Sequence, residues 1–152
     1  MAHWLVKSEP SSFSIDDLER VGVEPWNGVR NYQARNHLRA MQVGERCFFH
    51  HSGANPPGIV GICEVAREAY PDASQFDPAS PYHDPKATPD APRWFNPDMR
   101  FIERFPRLLS LEELRGVPEL AGMPLLTKSR LSVQPVSDAE WAIIIAIAEE
   151  AR

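Results

Sequence analysis

The sequence predicts a small, mixed α+β domain in which strands form a partly open barrel with a few short helices around it. Runs of strand-like sequence are separated by a few segments with helical periodicity, all of them short. A length of 152 residues, with 43% hydrophobic and 24% charged residues, is typical of one globular domain with its own core. We expect a single domain over residues 1–152, without an internal repeat or a parallel βαβ arrangement.

The first part of the chain predicts a strand followed by two short helices. His3 to Lys7 forms the strand, and a capping box at Ser14 begins a helix that ends near Val21. The chain turns at Pro25, and Asn31 is placed to cap the second helix. Apolar residues recur at helical spacing in that helix and are expected to face the core: Ala34, Leu38 and Met41.

A β-hairpin is expected from Arg46 to Ala66, because two β-favouring runs flank a turn rich in glycine and proline. Its cysteines, Cys47 and Cys63, are nearly equidistant from the turn, so we expect them to lie opposite each other across the strands. The chain has no recognisable secretion signal and only two cysteines, which favours buried, reduced thiols over a redox pair.

The second half of the chain predicts a long loop, a strand and two helices. Tyr70 to Pro92 is rich in proline and aspartate and is expected to form an ordered or semi-ordered surface loop. Arg93 to Phe105 alternates as a strand does, Ser110 can cap a short helix, and a capping box at Ser137 begins the last helix. Four residues form the inward stripe of this last helix: Trp141, Ile144, Ile145 and Ala148.

Signatures of common enzyme classes are absent from the sequence. There is no nucleotide-triphosphate loop, dinucleotide-binding glycine motif, serine-hydrolase elbow or zinc-hydrolase helix. His50 and His51 are neighbours on a strand and face opposite sides, so they are poorly placed to bind one metal ion. We expect no catalysis, metal or cofactor. Acid–base chemistry at His51–Ser52 or His83–Asp84 is the less favoured interpretation.

Clustered positive charge beside a tryptophan predicts a nucleic-acid interface. From Gly28 to Arg46 the chain has four arginines against one acid, although its formal net charge is -5. Trp26 and Trp94 each follow a proline-containing turn, which predicts rings partly exposed at a pocket rim, where they can stack on a flat base. An alkylated base is favoured, because an added methyl group gains apolar contact with the rings. The alternative is that both rings only close the barrel.

Several separated motifs resemble the EVE domain family, in the family's order and almost from end to end of the chain. They are WLVKSEP from Trp4, WNGVRNYQARN from Trp26, HSG from His51, GIVGICEVAREAYPD from Gly58 and SRLSVQPV from Ser129. The resemblance implies a PUA-like fold, a twisted and partly open β-barrel flanked by short helices, which agrees with the strand-rich pattern. It also implies a relation to YTH domains, which bind methylated adenine in an aromatic cage.

The resemblance assigns site residues at matching positions. Lys7–Ser8 is similar to the lysine and serine that end the first YTH strand, and Trp26–Asn27 is similar to the cage tryptophan and its neighbour. Trp94 resembles the second cage tryptophan, and Ser129–Arg130 resembles the serine and arginine that meet the phosphate backbone. Two residues are candidates for the third cage position: Tyr32 and His51.

The residues and the resemblance together predict a non-catalytic reader of nucleic acid that carries a modified, typically methylated, base. The residues expected in the base-binding pocket are Trp26, Asn27, Trp94, Ser8, Tyr32, His51 and Ser52. The residues expected to bind phosphates are Lys7, Arg30, Arg35, Lys128 and Arg130. Two other functions are alternatives to the reader: a pocket for a free modified nucleoside, and a PUA-like enzyme that processes nucleic acid.

The expected partner is DNA or RNA with a modified base, either a modified cytosine or a methylated adenine. A second protein that acts on the recognised nucleic acid is a further expected partner. No membrane is expected, because the longest apolar run, Trp141 to Ala148, is far shorter than the ~20 residues of a membrane span. The sequence shows no targeting segment, so we expect a cytoplasmic protein, or a nuclear one if its source is eukaryotic.

Overall fold

A computed structural model describes residues 1–150, which fold around one mixed, six-stranded sheet. The strands are β1 (His3–Ser8), β2 (Val23–Pro25), β3 (Arg46–His51), β4 (Gly58–Pro71), β5 (Phe95–Ser110) and β6 (Val133–Val136). Their order is β2-β5-β4-β3-β1-β6, so β2 and β6 are the two edges and the sheet does not close. The predicted α+β class, with an open arrangement of strands, is confirmed.

In the part of the chain that the structure describes, five α-helices connect or flank the strands. They are α1 (Ile15–Val21), α2 (Tyr32–Ala40), α3 (Leu111–Arg115), α4 (Pro124–Thr127) and α5 (Asp138–Glu150). The predicted caps are confirmed, since the side chains of Ser14, Asn31 and Ser110 each accept a backbone N–H from the first turn. Ser137 and Glu140 form the predicted capping box of α5. Within residues 1–150, no helix has the length and apolar character needed to cross a membrane.

The predicted hairpin is present as β3 and β4. Cys47 lies directly opposite Cys63, as expected, and both are free, fully buried thiols. Burial raises the pKa of the Cys47 thiol well above its ordinary value, so this group stays protonated. The long strands exceed their predicted limits, because β4 continues to Pro71 and β5 continues to Ser110.

Two features of the sheet differ from the sequence prediction. β1 and β3 are parallel neighbours, joined through α1, β2 and α2, although no parallel unit was expected. The two edge strands were also missed. Each is only three or four residues long and contains a proline, Pro25 in β2 and Pro135 in β6, and both properties are typical of edges and weaken a strand signal.

The sheet has a hydrophobic core on each face. Successive side chains of a strand point to opposite faces, so Trp4 and Val6 of β1 belong to one core and Leu5 belongs to the other. The first core includes buried residues of α1 and α2, and the second includes buried residues of α3, α4 and α5. The last residues of β1 and β2 lie at the candidate cleft, together with the segments that follow them.

The close approach of β4 and β5 at Gly61 generates a stability prediction. A Cβ atom at this position would lie 2.2 Å from the backbone oxygen of Glu103, so the strands would have to separate. We expect Gly61→Ala to lower the free energy of unfolding by about 3 kcal/mol, measured by urea denaturation. Gly122→Ala is the control, because nothing lies within 4 Å of the added methyl group. Equal stability of the two variants would contradict the described strand packing.

Candidate nucleic-acid interface

A cleft of about 550 Å³ opens where β1 ends and β2 leads into the following loop. It is lined by Lys7, Ser8, Glu9, Ser12, Phe13, Glu24, Pro25, Trp26, Asn27, Gly28, Val29, Arg30, Tyr82 and Ser132. Five of the residues predicted for the interface are therefore brought together: Lys7, Ser8, Trp26, Asn27 and Arg30. Separate segments of the chain supply the walls, so the cleft depends on tertiary packing.

Trp26 forms an apolar wall of this cleft. Its ring packs edge-on against Phe13, with centroids 6.4 Å apart, and against Phe49, at 5.4 Å. Only 7% of the residue is exposed, so the prediction of a partly exposed ring at a rim is wrong for Trp26. Its backbone N–H donates to the Pro97 oxygen at 2.9 Å. The ring is thus fixed in orientation before any ligand arrives.

Trp94 lies outside the cleft lining and is held by the protein itself. Its indole Nε1 donates to Asp84 Oδ2 at 2.8 Å, and its ring stacks on Tyr32 with centroids 4.8 Å apart. Trp94 is 6% exposed, so the predicted partial exposure is wrong here too, whereas Tyr32 is 47% exposed. The structure does not bring Trp94 and Tyr32 into the cleft that Trp26 lines.

Arg30 holds the cleft together. Its guanidinium donates to the Tyr82 backbone oxygen at 3.0 Å, to Asp72 Oδ2 at 3.1 Å and to Ser74 Oγ at 3.0 Å. The predicted role was phosphate binding, but these donors are used inside the protein. Arg30 therefore joins the 26–30 segment to the long loop that follows β4.

Asp72 is the acidic partner of Arg30 in this connection. The carboxylate is almost fully buried and accepts from the backbone N–H groups of Gly28, at 2.9 Å, and Ser74, at 2.8 Å, besides the Arg30 contact. Burial alone raises the pKa of Asp72, but the hydrogen bonds from Ser74, Gly28 and Arg30 outweigh it, so the pKa lies below its ordinary value. The group stays ionised and paired near neutral pH.

Arg35 is also engaged within the protein. Its Nη1 donates to the Arg93 backbone oxygen at 2.9 Å, and its Nη2 donates to Asn36 Oδ1 at 2.9 Å. The guanidinium carbon lies 4.8 Å from the centre of the Tyr32 ring. Like Arg30, this predicted phosphate ligand already has protein partners.

A second, shallower depression of about 380 Å³ contains the remaining predicted cations, Lys128 and Arg130. Both residues are exposed, and neither has a carboxylate within ion-pair distance among residues 1–150. Lys7 Nζ, at the wall of the first cleft, donates to the Ser129 backbone oxygen at 2.9 Å. This contact connects the cleft to the loop that carries the two free cations.

His51 and Ser52, both predicted in the pocket, lie outside the cleft lining. His51 Nε2 accepts from the Ile15 backbone N–H at 3.0 Å, where it satisfies a donor at the start of α1. Burial lowers the pKa of His51, although the Asp16 charge raises it, which is consistent with a neutral acceptor. The backbone N–H of Ser52 donates to the Ser8 oxygen at 3.0 Å. Within residues 1–150, no group of histidine, cysteine and acidic side chains is arranged to hold a metal ion.

Nine lining residues were not predicted as site residues: Glu9, Ser12, Phe13, Glu24, Pro25, Gly28, Val29, Tyr82 and Ser132. Tyr82 comes from the proline-rich loop, and its ring lies so close to Gly28 that a Cβ there would be 2.8 Å from it. Gly28 also has a φ of +85°, a conformation that other residues rarely adopt. The glycine of the WNG motif, Gly28, therefore indicates in the sequence that another part of the chain packs closely at this position.

A family model confirms the resemblance seen in the sequence. The model of the EVE domain matches residues 2–147. The chain belongs to the EVE domain family. Among curated proteins, human thymocyte nuclear protein 1 is 40% identical to this EVE domain over 168 residues, covering 98% of the chain and 75% of that protein.

Solved structures share both fold and sequence with this EVE domain. A hypothetical protein from Leishmania major superposes with a TM-score of 0.96 at 49% identity, covering 99% of this chain and 96% of that one. Human THYN1 in complex with DNA containing 5-methylcytosine superposes with a TM-score of 0.93 at 39% identity, covering 98% of each chain. The EVE domain thus has the PUA-like fold that the resemblance implied.

The buried Asp72 carboxylate generates a pH-dependent stability prediction. Its pKa is lower in the folded than in the unfolded chain, so its contribution is complete above the unfolded pKa, near 4, and is lost as pH falls through the folded pKa. We expect Asp72→Asn to destabilise the EVE domain by about 3 kcal/mol at pH 7, because Arg30 loses its charged partner. Urea denaturation at pH 7 and pH 3 should show a smaller difference in the free energy of unfolding between Asp72→Asn and the wild type at pH 3 than at pH 7.

Asp90→Asn is the matched control for this prediction, because Asp90 is an exposed carboxylate in the same loop. It should leave stability unchanged at pH 7. A gap between Asp72→Asn and wild type that stays constant from pH 7 to pH 3 would refute the described role of the Asp72 charge.

Proposed function

We propose that this EVE domain is a non-catalytic reader of DNA that carries 5-methylcytosine. The observation that carries the proposal is its likeness, at 39% identity over nearly the whole chain, to human THYN1 in complex with DNA containing this base. The cleft beside Trp26 and the free cations next to it supply a matching physical arrangement. Recognition requires no chemical step, and the chain has no signature of a catalytic site.

The Trp26 cleft is the proposed base site. Its volume of about 550 Å³ lies within the usual range for small-molecule sites. A base inside a duplex cannot reach such a cleft, so the ligand is a base turned out of the helix or one in a single strand. The indole wall then covers the C5 methyl group, and burial of a methyl-sized group is worth about 0.8 kcal/mol. Asn27 and Ser8 line the same cleft and offer polar atoms to the base edge.

The proposed phosphate contacts are Lys128 and Arg130, with Lys7 at the border of the two sites. The first two have no carboxylate partner within residues 1–150 and lie in the depression that adjoins the cleft through Ser129. We assign Arg30 and Arg35 to the support of the cleft, because their guanidinium groups are already bonded to the protein. A formal charge of -5 on the whole chain disfavours indiscriminate coating of DNA.

The free cations also favour a polymer over the alternative ligand, a free modified nucleoside, which has no phosphate. RNA with the same base and a protein partner that acts on the bound nucleic acid are extensions of the proposal. The name of the human relative places that protein in the nucleus, and we propose a nuclear location here if the source is eukaryotic. The cytoplasmic location stays a prediction.

A binding titration tests the proposed base site. Fluorescence anisotropy would compare matched DNA and RNA oligonucleotides that contain cytosine, 5-methylcytosine, 5-hydroxymethylcytosine, adenine or N6-methyladenine. We expect the wild type to prefer 5-methylcytosine in DNA. Trp26→Phe keeps an aromatic ring between Phe13 and Phe49 but shortens the wall, and should weaken binding of the methylated oligonucleotide by about tenfold.

The matched control for Trp26→Phe is Trp141→Phe, the same change in α5 on the other face of the sheet. It should bind as the wild type does. Uniform weak binding of all oligonucleotides by the wild type would exclude the proposed reader function, and equal binding of a free nucleoside would favour the small-ligand alternative.

The proposed phosphate contacts predict a change in salt dependence. The affinity falls with salt, so the slope of log K against log salt is negative. Removing one cation that neutralises a phosphate makes this slope shallower by about 0.7 to 0.9. We therefore expect Lys128→Ala and Arg130→Ala to weaken modified and plain oligonucleotides alike and to reduce this slope. Arg115→Ala, an exposed cation on α3 outside both depressions, is the control. An unchanged slope in both variants would place the phosphates elsewhere.

A further inference from the structure

The cleft contains a carboxylate that has no hydrogen-bond or ion-pair partner among residues 1–150. Glu24 lines the cleft and is half-buried, and it forms no hydrogen bond or ion pair with the residues that the structure describes. Arg20 is the basic residue whose charge acts on Glu24, but its guanidinium is bonded to Asp17 at 3.1 Å. A partly desolvated acceptor without a partner is costly, so a ligand that supplies a donor relieves that cost.

Backbone pairing fixes Glu24 close to Trp26. Glu24 lies opposite Met99 in the pairing of β2 with β5, and the Trp26 N–H continues the contact by donating to the Pro97 oxygen at 2.9 Å. Only Pro25 separates the two residues, and its ring restricts the backbone between them. Glu24 lies in the edge strand β2, Trp26 directly follows that strand, and both residues line one cleft.

A carboxylate distinguishes bases that an aromatic wall cannot. Thymine and 5-methylcytosine have the same C5 methyl group, so the Trp26 indole treats them alike. They differ at C4, where cytosine has an amino group that donates and thymine has a carbonyl that accepts, and at N3, where cytosine accepts and thymine donates. A carboxylate that faces C4 accepts a hydrogen bond from the amino group of cytosine and repels the carbonyl oxygen of thymine.

We propose that Glu24 accepts a hydrogen bond from the exocyclic amino group of the bound base, so that the cleft admits cytosine-type bases and rejects thymine and uracil. This inference rests on the proposed function, since it concerns the base in the Trp26 cleft. Glu24 is a specificity-determining residue in this assignment. It allows a reader of 5-methylcytosine to ignore thymine, which occurs throughout DNA and carries the same methyl group.

Other polar groups of the cleft are less suited to this role. The Ser8 hydroxyl and the Asn27 amide have neutral oxygens, which are weaker acceptors than a carboxylate, and Lys7 Nζ is a donor already bonded to Ser129. Glu9 is exposed and packs beside Gly53, where an added Cβ would lie 3.1 Å from its carboxyl carbon. Glu24 is thus the half-buried carboxylate of the cleft.

The test compares single-stranded DNA oligonucleotides that differ only at one central base: 5-methylcytosine, cytosine or thymine. Single strands are used because a thymine mispaired in a duplex would turn out more easily and distort the comparison. We expect the wild type to bind the 5-methylcytosine oligonucleotide about ten- to a hundredfold more tightly than the thymine oligonucleotide. Glu24→Ala should bind the 5-methylcytosine and thymine oligonucleotides with similar affinity.

A gain of thymine binding keeps the test independent of folding. Glu24→Gln can present an amide N–H to the thymine carbonyl, so it should bind the thymine oligonucleotide more tightly than the wild type does, which a misfolded protein cannot do. Glu119→Ala removes an exposed carboxylate outside the cleft and should keep the wild-type ratio between 5-methylcytosine and thymine.

The outcomes separate this inference from the proposed function. If Glu24→Ala keeps the wild-type ratio between 5-methylcytosine and thymine, or if the wild type binds both equally, the inference is wrong. A preference of the wild type for 5-methylcytosine over cytosine would still support the reader in that case. Equal binding of 5-methylcytosine and cytosine, with thymine rejected only when Glu24 is present, would instead uphold the inference and remove methyl recognition from the proposed function.

Discussion

The buried ion pair between Arg30 and Asp72 is the contact on which the shape of the interface depends. It joins the segment that carries Trp26 to the start of the long loop after β4, over 42 residues of sequence. The same carboxylate accepts from the Gly28 N–H, and the same guanidinium donates to the Tyr82 oxygen, so two walls of the cleft share one charged centre. Such a centre is stable only while both members are present and fully bonded.

The proline-rich loop is therefore a structural part of the interface. Gln75, fully buried within it, donates to the backbone oxygens of Asp72 and Trp94, each at 2.8 Å, and accepts from the Trp94 N–H at 3.0 Å. Asp84 accepts from the Trp94 indole. These bonds take the place of the β-sheet hydrogen bonds that a proline-dense segment cannot form. They explain how a segment with little regular structure supplies Tyr82 to the cleft.

Local signals in the sequence predicted the local structure well. The caps at Ser14, Asn31 and Ser110 depend on neighbouring residues, and each was recognised from spacing alone. The structure brings five residues predicted for the interface to one cleft, Lys7, Ser8, Trp26, Asn27 and Arg30, whereas base binding and phosphate binding stay predictions. The structural roles of Arg30, Arg35 and Trp94 were not predicted. Their hydrogen-bond partners are Asp72, Arg93 and Asp84, respectively. Tertiary packing brings these pairs together, and the spacing of residues along the sequence does not reveal such contacts.

The bond from Lys7 to the Ser129 carbonyl ties the end of a central strand to the loop that carries Lys128 and Arg130. The protein thereby sets in advance the separation between the proposed base site and the proposed phosphate contacts. In the proposed function, such an interface would be sensitive to the length and curvature of the sugar–phosphate chain as well as to the base. A lesion that leaves the base intact but alters its backbone would then fit the proposed base site and miss the proposed phosphate contacts.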